Sequence, residues 1–166
     1  MDLLQLLHHT VCGALAAAGF GVLFNVRFSA LPWCAASGAL ALAARTLILE
    51  AGWRMEAAAF IAALLLGFAL QLLPSQMTVS RGALHVVGCI PMVPGGFATK
   101  TTLGLFALTA TNSAVSSEML SNTIASGLRV IFIIGALGTG LAIPTLLFRS
   151  RGNKTFNHKG HEGTQR

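Results

Sequence analysis

Ile90-Pro91-Met92-Val93-Pro94-Gly95-Gly96 lies inside a long apolar stretch near the middle of the chain. Two prolines and two glycines do not propagate an ordinary helix. Each proline removes a backbone donor, and each glycine loosens what remains. Lipid holds no water to satisfy the freed carbonyls, so a break at membrane depth survives only against protein or a wet cavity. Broken helices in transporters often build the substrate site from such ends. The segment therefore points to a transport path.

The surrounding composition sets the class. Hydrophobic residues make up 54% of the 166 residues and charged residues 10%, with a mean hydropathy of +0.73. A soluble domain is nearer ~25% charged, so an all-α integral membrane protein is expected. The net charge of +6 does not indicate nucleic acid, because five of the eleven Lys and Arg residues fall in positions 149–166 and no basic stripe is interleaved with aromatics. Those positions read as a disordered basic cytoplasmic tail, either beside an anionic membrane surface or merely solvated. Cys12, Cys34 and Cys89 lie in apolar runs with no C-x-x-C spacing, and are expected to be free thiols. The N-terminus carries Asp2 and no early Lys or Arg, which reads as a retained first membrane helix, not a cleaved signal.

A spanning helix needs ~20 mostly apolar residues. Five candidates follow, at about Leu3–Phe24, Leu31–Leu49, Ala57–Leu73, Gly82–Ala110 and Thr123–Phe148. Pro32 sits in the first turn of the second, where a missing donor does no harm, and the third stops at Pro74. The fourth is too long for one straight helix: roughly thirty residues at ~1.5 Å each span ~45 Å against a ~30 Å hydrocarbon core. A break at the Pro-Gly segment resolves the excess. Residues 1–148 are thus expected to form one transmembrane domain, and 149–166 its tail.

Charge placement gives the orientation. Arg27, Arg81 and the tail residues Arg149, Arg151, Lys154, Lys159 and Arg166 share one side if the number of passes is odd. The other side holds Asp2, Glu50, Glu56 and Glu118, with Arg54 as its base. Positive residues collect in the cytoplasm, so the N-terminus is expected outside and the C-terminus inside. Four passes, with the first two stretches as one hairpin, fit the charges less well.

Arg45, Lys100 and Arg129 lie within or close to membrane segments. A base at bilayer depth costs at least ~2.5 kcal/mol on insertion scales, so such residues face a bundle interior or cavity, or snorkel to the interface. Lys100 follows the break in Thr99-Lys100-Thr101-Thr102. Hydroxyls, an ammonium and the positive end of the second half-helix together suit a small anion. Small residues four apart, at Gly13, Ala17 and Gly21, at Ala35, Ala39 and Ala43, and at Ala136 and Gly140, support a tight bundle or a homo-oligomer.

Other patterns carry less. Adjacent His8 and His9 point in different directions on a helix and have no nearby carboxylate. His158-x-x-His161-Glu162 lies in the polar tail, and the sequon Asn153-Lys154-Thr155 falls on the expected inner face. Gly19-x-Gly21 lacks the strand-to-helix context of a dinucleotide fold. No Walker loop, nucleophile elbow or carboxylate pair is present, so no enzyme, metal or cofactor is expected.

Gly19-Phe20-Gly21-Val22-Leu23-Phe24-Asn25-Val26, followed by Leu31-Pro32-Trp33-Cys34-Ala35 and Gly38, resembles the opening of the threonine/serine exporter family. The nearer likeness is to its small split subunit of the YjjB type. Ile90-Pro91-Met92-Val93-Pro94-Gly95 is similar to the family's I-P-x-x-P-G segment, and Gly135-Ala136-Leu137 with Gly140-Leu141-Ala142-Ile143-Pro144 resembles its last helix. The likeness covers roughly residues 10–148 and excludes the tail. It implies a bacterial inner-membrane subunit of five helices, working with a YjjP-like membrane subunit that carries the other half. In some members both halves are fused, with an N-terminal soluble domain that nothing here resembles. The family is associated with export of threonine and serine, and the paired small-subunit form with succinate export. Matching motifs carry over Asn25, Arg45, Pro91, Pro94 and Gly95. Gly96, Thr99 and Lys100 join the candidate substrate-binding set on the physical argument. The rival expectation is a structural or assembly subunit with no path of its own.

Overall fold

The computed structural model describes residues 3–72, 81–110 and 117–156. Among them the chain is all-helical: α1 (Leu3–Leu23), α2 (Leu31–Glu50), α3 (Met55–Gln71), α4 (Arg81–Cys89), α5 (Gly95–Ala110) and α6 (Ser117–Phe156). Short 3-10 turns occupy Phe28–Ala30, before α2, and Ile90–Met92, between α4 and α5. The stretch expected to end at Phe148 continues as helix to Phe156, and His158, His161, Glu162 and the rest of 157–166 lie outside the described residues, as do Asp2 and Pro74.

Among the described residues three helical stretches are long and apolar enough to cross a bilayer: Leu3–Leu23, Phe28–Glu50 and Ser117–Phe148. Gly82–Met92 and Gly95–Thr109, bent by 60° where they join, make a fourth when taken as one broken span. The break expected at the Pro-Gly segment is therefore present. α3 is apolar throughout but has only 17 residues. At ~1.5 Å per residue it reaches ~25 Å, short of the ~30 Å core. Length and composition thus give three or four spans where five were expected.

α1 ends in a tight left-handed cap. The Asn25 N–H donates to the Val22 carbonyl and the Val26 N–H to the Gly21 carbonyl, each at 2.9 Å. Asn25 has φ +55°, the left-handed conformation that Asn tolerates better than most residues. This cap reverses the chain into the 3-10 turn and α2. The α1–α2 hairpin then closes through small residues. Gly13, Ala17 and Gly21 are buried on α1, as the spacing implied. On α2 the buried positions are Cys34, Ser37, Gly38, Ala41 and Ala44, one place off the expected Ala35, Ala39 and Ala43, which are half-buried. Any Cβ at Gly38 would collide with Ala17 and the Gly13 carbonyl, so the helices touch backbone to backbone there.

α3 and α6 form the second pair, and they run parallel. Gly140 lies on Phe60 and Ala63, Pro144 on Gly67, and the Phe148 ring meets Phe68 edge-on with centroids 6.2 Å apart. The two registers rise together, which only parallel helices allow. The chain must return between them, and it does so through α4 and α5. α4 packs on α2, α3 and α1, whereas α5 has α6 as its main partner. The core is built largely from alanine (Ala17, Ala41, Ala59, Ala62 and Ala63), with Leu66, Leu84, Val87, Met92 and Ile133 as its larger buried members.

Candidate functional site

The break starts as a problem in hydrogen bonding. Pro91 and Pro94 cannot donate, so the carbonyls of Val87 and Ile90 lose their usual helical partners. The Ile90 carbonyl accepts the Val93 N–H at 3.0 Å instead, which tightens Ile90–Met92 into the 3-10 turn. Val93 then turns extended, with ψ 132°, and the next helix begins. The Met92 carbonyl is answered from outside the segment: Arg45, on α2, donates from Nη1 at 3.3 Å. Arg45 Nε is buried and has no hydrogen-bond partner among the described residues.

The two sides of the break differ. Met92 is fully buried and Pro94 is buried, so one side is dry and packed. Val93, Gly95 and Gly96 are exposed, and a Cβ at either glycine would meet nothing within 4 Å. The restart of the helix thus faces open space. Phe97 and Ala98 donate back to the Pro94 carbonyl, each at 3.1 Å, and close the first turn of α5.

α5 carries Lys100 into a cleft against α6. Phe97, Lys100, Asn122, Ala125, Ser126 and Arg129 line a space of about 430 Å³. A neighbouring space of about 410 Å³ shares Lys100, Asn122 and Ser126 and adds Glu118, Met119 and Thr123. Phe97 has two cations near its ring: Lys100 Nζ is 5.9 Å from the centroid and Arg129 Cζ 5.1 Å. An aromatic face attracts cations, and so holds both near the cleft without neutralising either. Arg129 also reaches Glu56 at 3.6 Å, and Arg54 reaches the same carboxylate at 3.9 Å. Among the described residues Lys100 makes no ion pair.

The expected residues separate into three places. Lys100 lies in the cleft. Arg45 and the backbone of Pro91 and Pro94 belong to the break, where Arg45 holds a carbonyl. Asn25 is at the α1 cap. The threonines are committed locally: Thr99 donates to the Gly95 carbonyl at 2.9 Å, Thr101 to Phe97 at 2.9 Å and Thr102 to Ala98 at 3.0 Å. Such bonds to the carbonyl four residues back let hydroxyls sit in an apolar helix, and they occupy the donor. The expected trio of hydroxyl donors is thus turned onto its own helix.

Sequence reasoning missed Phe97, Asn122 and Ser126. Their signal was present. Asn122, Ser126 and Arg129 stand at i, i+4 and i+7, one polar stripe on an otherwise apolar helix. Phe97 and Lys100 stand three apart, on one face of α5.

Residues 9–147 match the family model described as "Threonine/Serine exporter, ThrE". No solved structure matches the chain. The match spans α1 to α6 and includes the break, the Arg45 contact and the Lys100 cleft. The chain belongs to the threonine/serine exporter family, and its apolar helices are those of a membrane transport protein.

Proposed function

We infer that the chain is one subunit of a bacterial inner-membrane exporter of small carboxylate-bearing solutes, threonine and serine or succinate, and works with a YjjP-like membrane subunit. The observation that carries the reading is the cleft where the broken helix restarts. Lys100 and Arg129 offer positive charge there, and Asn122 and Ser126 offer neutral polar groups. A carboxylate fits such a set, because charge-assisted hydrogen bonds are the strong ones. Arg129 is partly answered by Glu56, so Lys100 is the better carboxylate partner. Pro91, Pro94, Gly95 and Gly96 shape the path, and Arg45 fixes the inner side of the break.

Five passes, with the N-terminus outside, remain the topology of this proposal. The parallel run of α3 and α6 supports it, since α4 and α5 then make one net return. The short α3 spans by local thinning or by its flanking interfacial residues Trp53 and Arg54. A second reading, an assembly subunit without a path, draws on the open apolar faces of α5 and α6: Phe106 is 67% exposed and Ile131 67%.

Efflux of labelled threonine, serine and succinate from cells expressing both subunits, then each alone, tests the reading. Export that requires both chains, and that falls in Lys100→Ala with membrane insertion intact, is expected. Full export of all three solutes by Lys100→Ala removes this cleft as the site. Export by the other subunit alone supports the assembly reading.

A further inference from the structure

A further cavity includes Glu56, the ion-pair partner of Arg129, in its lining. It is a groove of about 690 Å³ between the start of α3 and the middle of α6. Its walls are Ala57, Ile131, Phe132, Gly135, Ala136 and Thr139, and its mouth holds Arg54 and Glu56. The volume falls within the ~300–1,000 Å³ typical of ligand sites. Small residues create it: Ala57 on α3 faces Gly135, Ala136 and Thr139 on α6, and none fills the space between.

The charges at the mouth do not balance. Among the described residues that line the groove Glu56 is the one carboxylate, and it lies 3.9 Å from Arg54 and 3.6 Å from Arg129. Two guanidiniums on one carboxylate leave one positive charge over. The Arg54 side chain is 88% exposed, so most of its donor fork is turned outward. Trp53, beside it, is exposed in the turn between α2 and α3, and an exposed amphipathic ring suits a membrane–water boundary. An apolar slot beside a surplus guanidinium and an exposed tryptophan suits one kind of molecule. Its head is an anion with oxygen acceptors and its tail is hydrocarbon.

We propose that the groove between α3 and α6 binds an anionic phospholipid, with Arg54 on the phosphate and an acyl chain against Ala57, Ile131, Phe132, Gly135 and Thr139. Arginine suits a phosphate through paired N–H donors. Glu56 keeps Arg54 and Arg129 in place and narrows the preference: a zwitterionic head group brings its own cation against the spare charge. The acyl chain fills a space that water does not favour, since the walls are almost wholly apolar.

The full chain, purified in mild detergent and supplied with mixed phosphatidylglycerol and phosphatidylcholine, tests this by native mass spectrometry of retained lipid. Retention of phosphatidylglycerol over phosphatidylcholine is expected. Arg54→Gln should reduce that preference by about tenfold, as expected for the loss of one charge-assisted contact, and Arg54→Lys should restore part of it. Gly135→Leu should lower retention of both lipids. A Cβ at Gly135 meets nothing within 4 Å, so the substitution fills the groove without disturbing the helix pair. Equal retention of the two lipids by the native chain overturns the proposal. So does a Gly135→Leu chain that keeps its lipid, or one that changes oligomeric state with lipid unaltered, since a second copy would then be the occupant.

Discussion

Arg45 shows how one contact changes the meaning of a residue. Its place on an apolar helix flags it as functional, and the likeness to exporters adds it to the substrate set. In the folded chain its Nη1 serves the Met92 carbonyl, a group that the extended turn at Val93 leaves outside either helix. Arg45→Ala removes that donor and leaves a buried carbonyl unanswered. A loss of about 1–3 kcal/mol is expected, read as a lower unfolding temperature in detergent, with Arg45→Lys recovering part of it. If Arg45→Ala melts with the native chain and loses only solute affinity, the residue holds substrate and not backbone. Lys100 belongs to the opposite case. It makes no ion pair among the described residues and borders two connected spaces. Removing a charged hydrogen-bond partner of a carboxylate costs ~1.5–3 kcal/mol, so Lys100→Ala should reduce export by roughly ten- to a hundredfold. Asn25 was legible as a marked position but not as to its task. Its φ of +55° makes it the residue that ends α1.

At the scale of elements, the broken helix was the most legible feature. Its length exceeds the bilayer, and its imino acids fix where it must yield. The direction of the bend was not legible, because it depends on which helices receive each half. α4 settles among α1, α2 and α3, and the 60° turn then delivers α5 to α6. Pro91→Ala returns an N–H to the Val87 carbonyl and stiffens the α4 side of this turn, while Val93 and Pro94 keep the bend itself. Maximal efflux rate should fall while the half-saturation concentration stays unchanged. A normal rate with altered half-saturation would place Pro91 in binding instead of in gating. The α1–α2 crossing is held by backbone contact at Gly38. Gly38→Leu forces the two helices apart and should destabilise the chain by about 1–3 kcal/mol or more, visible as lost protein in the membrane fraction. Leu40 on the same helix is exposed, so Leu40→Ala serves as the neutral control.

For the whole molecule, the decisive fact is how much apolar surface stays open. Leu103, Phe106, Ile131 and Phe132 are each more than 60% exposed, and lipid or further protein must cover them. If the exporter works as a pair of subunits, affinity purification of a tagged chain should retain a YjjP-like protein, and omission of either chain should abolish efflux. Stable homo-oligomers without transport would favour the assembly role. The sequence by itself determined the class, the break and the family, because hydropathy, proline chemistry and short motifs are local properties that need no neighbour. Only the tertiary structure decided that Arg45 meets Met92, that Lys100 and Arg129 both lie near the Phe97 ring, and that α3 runs parallel to α6. Those are pairings between segments far apart in the chain. They are set by which small residues let two backbones approach, and no spacing within a single segment encodes that choice.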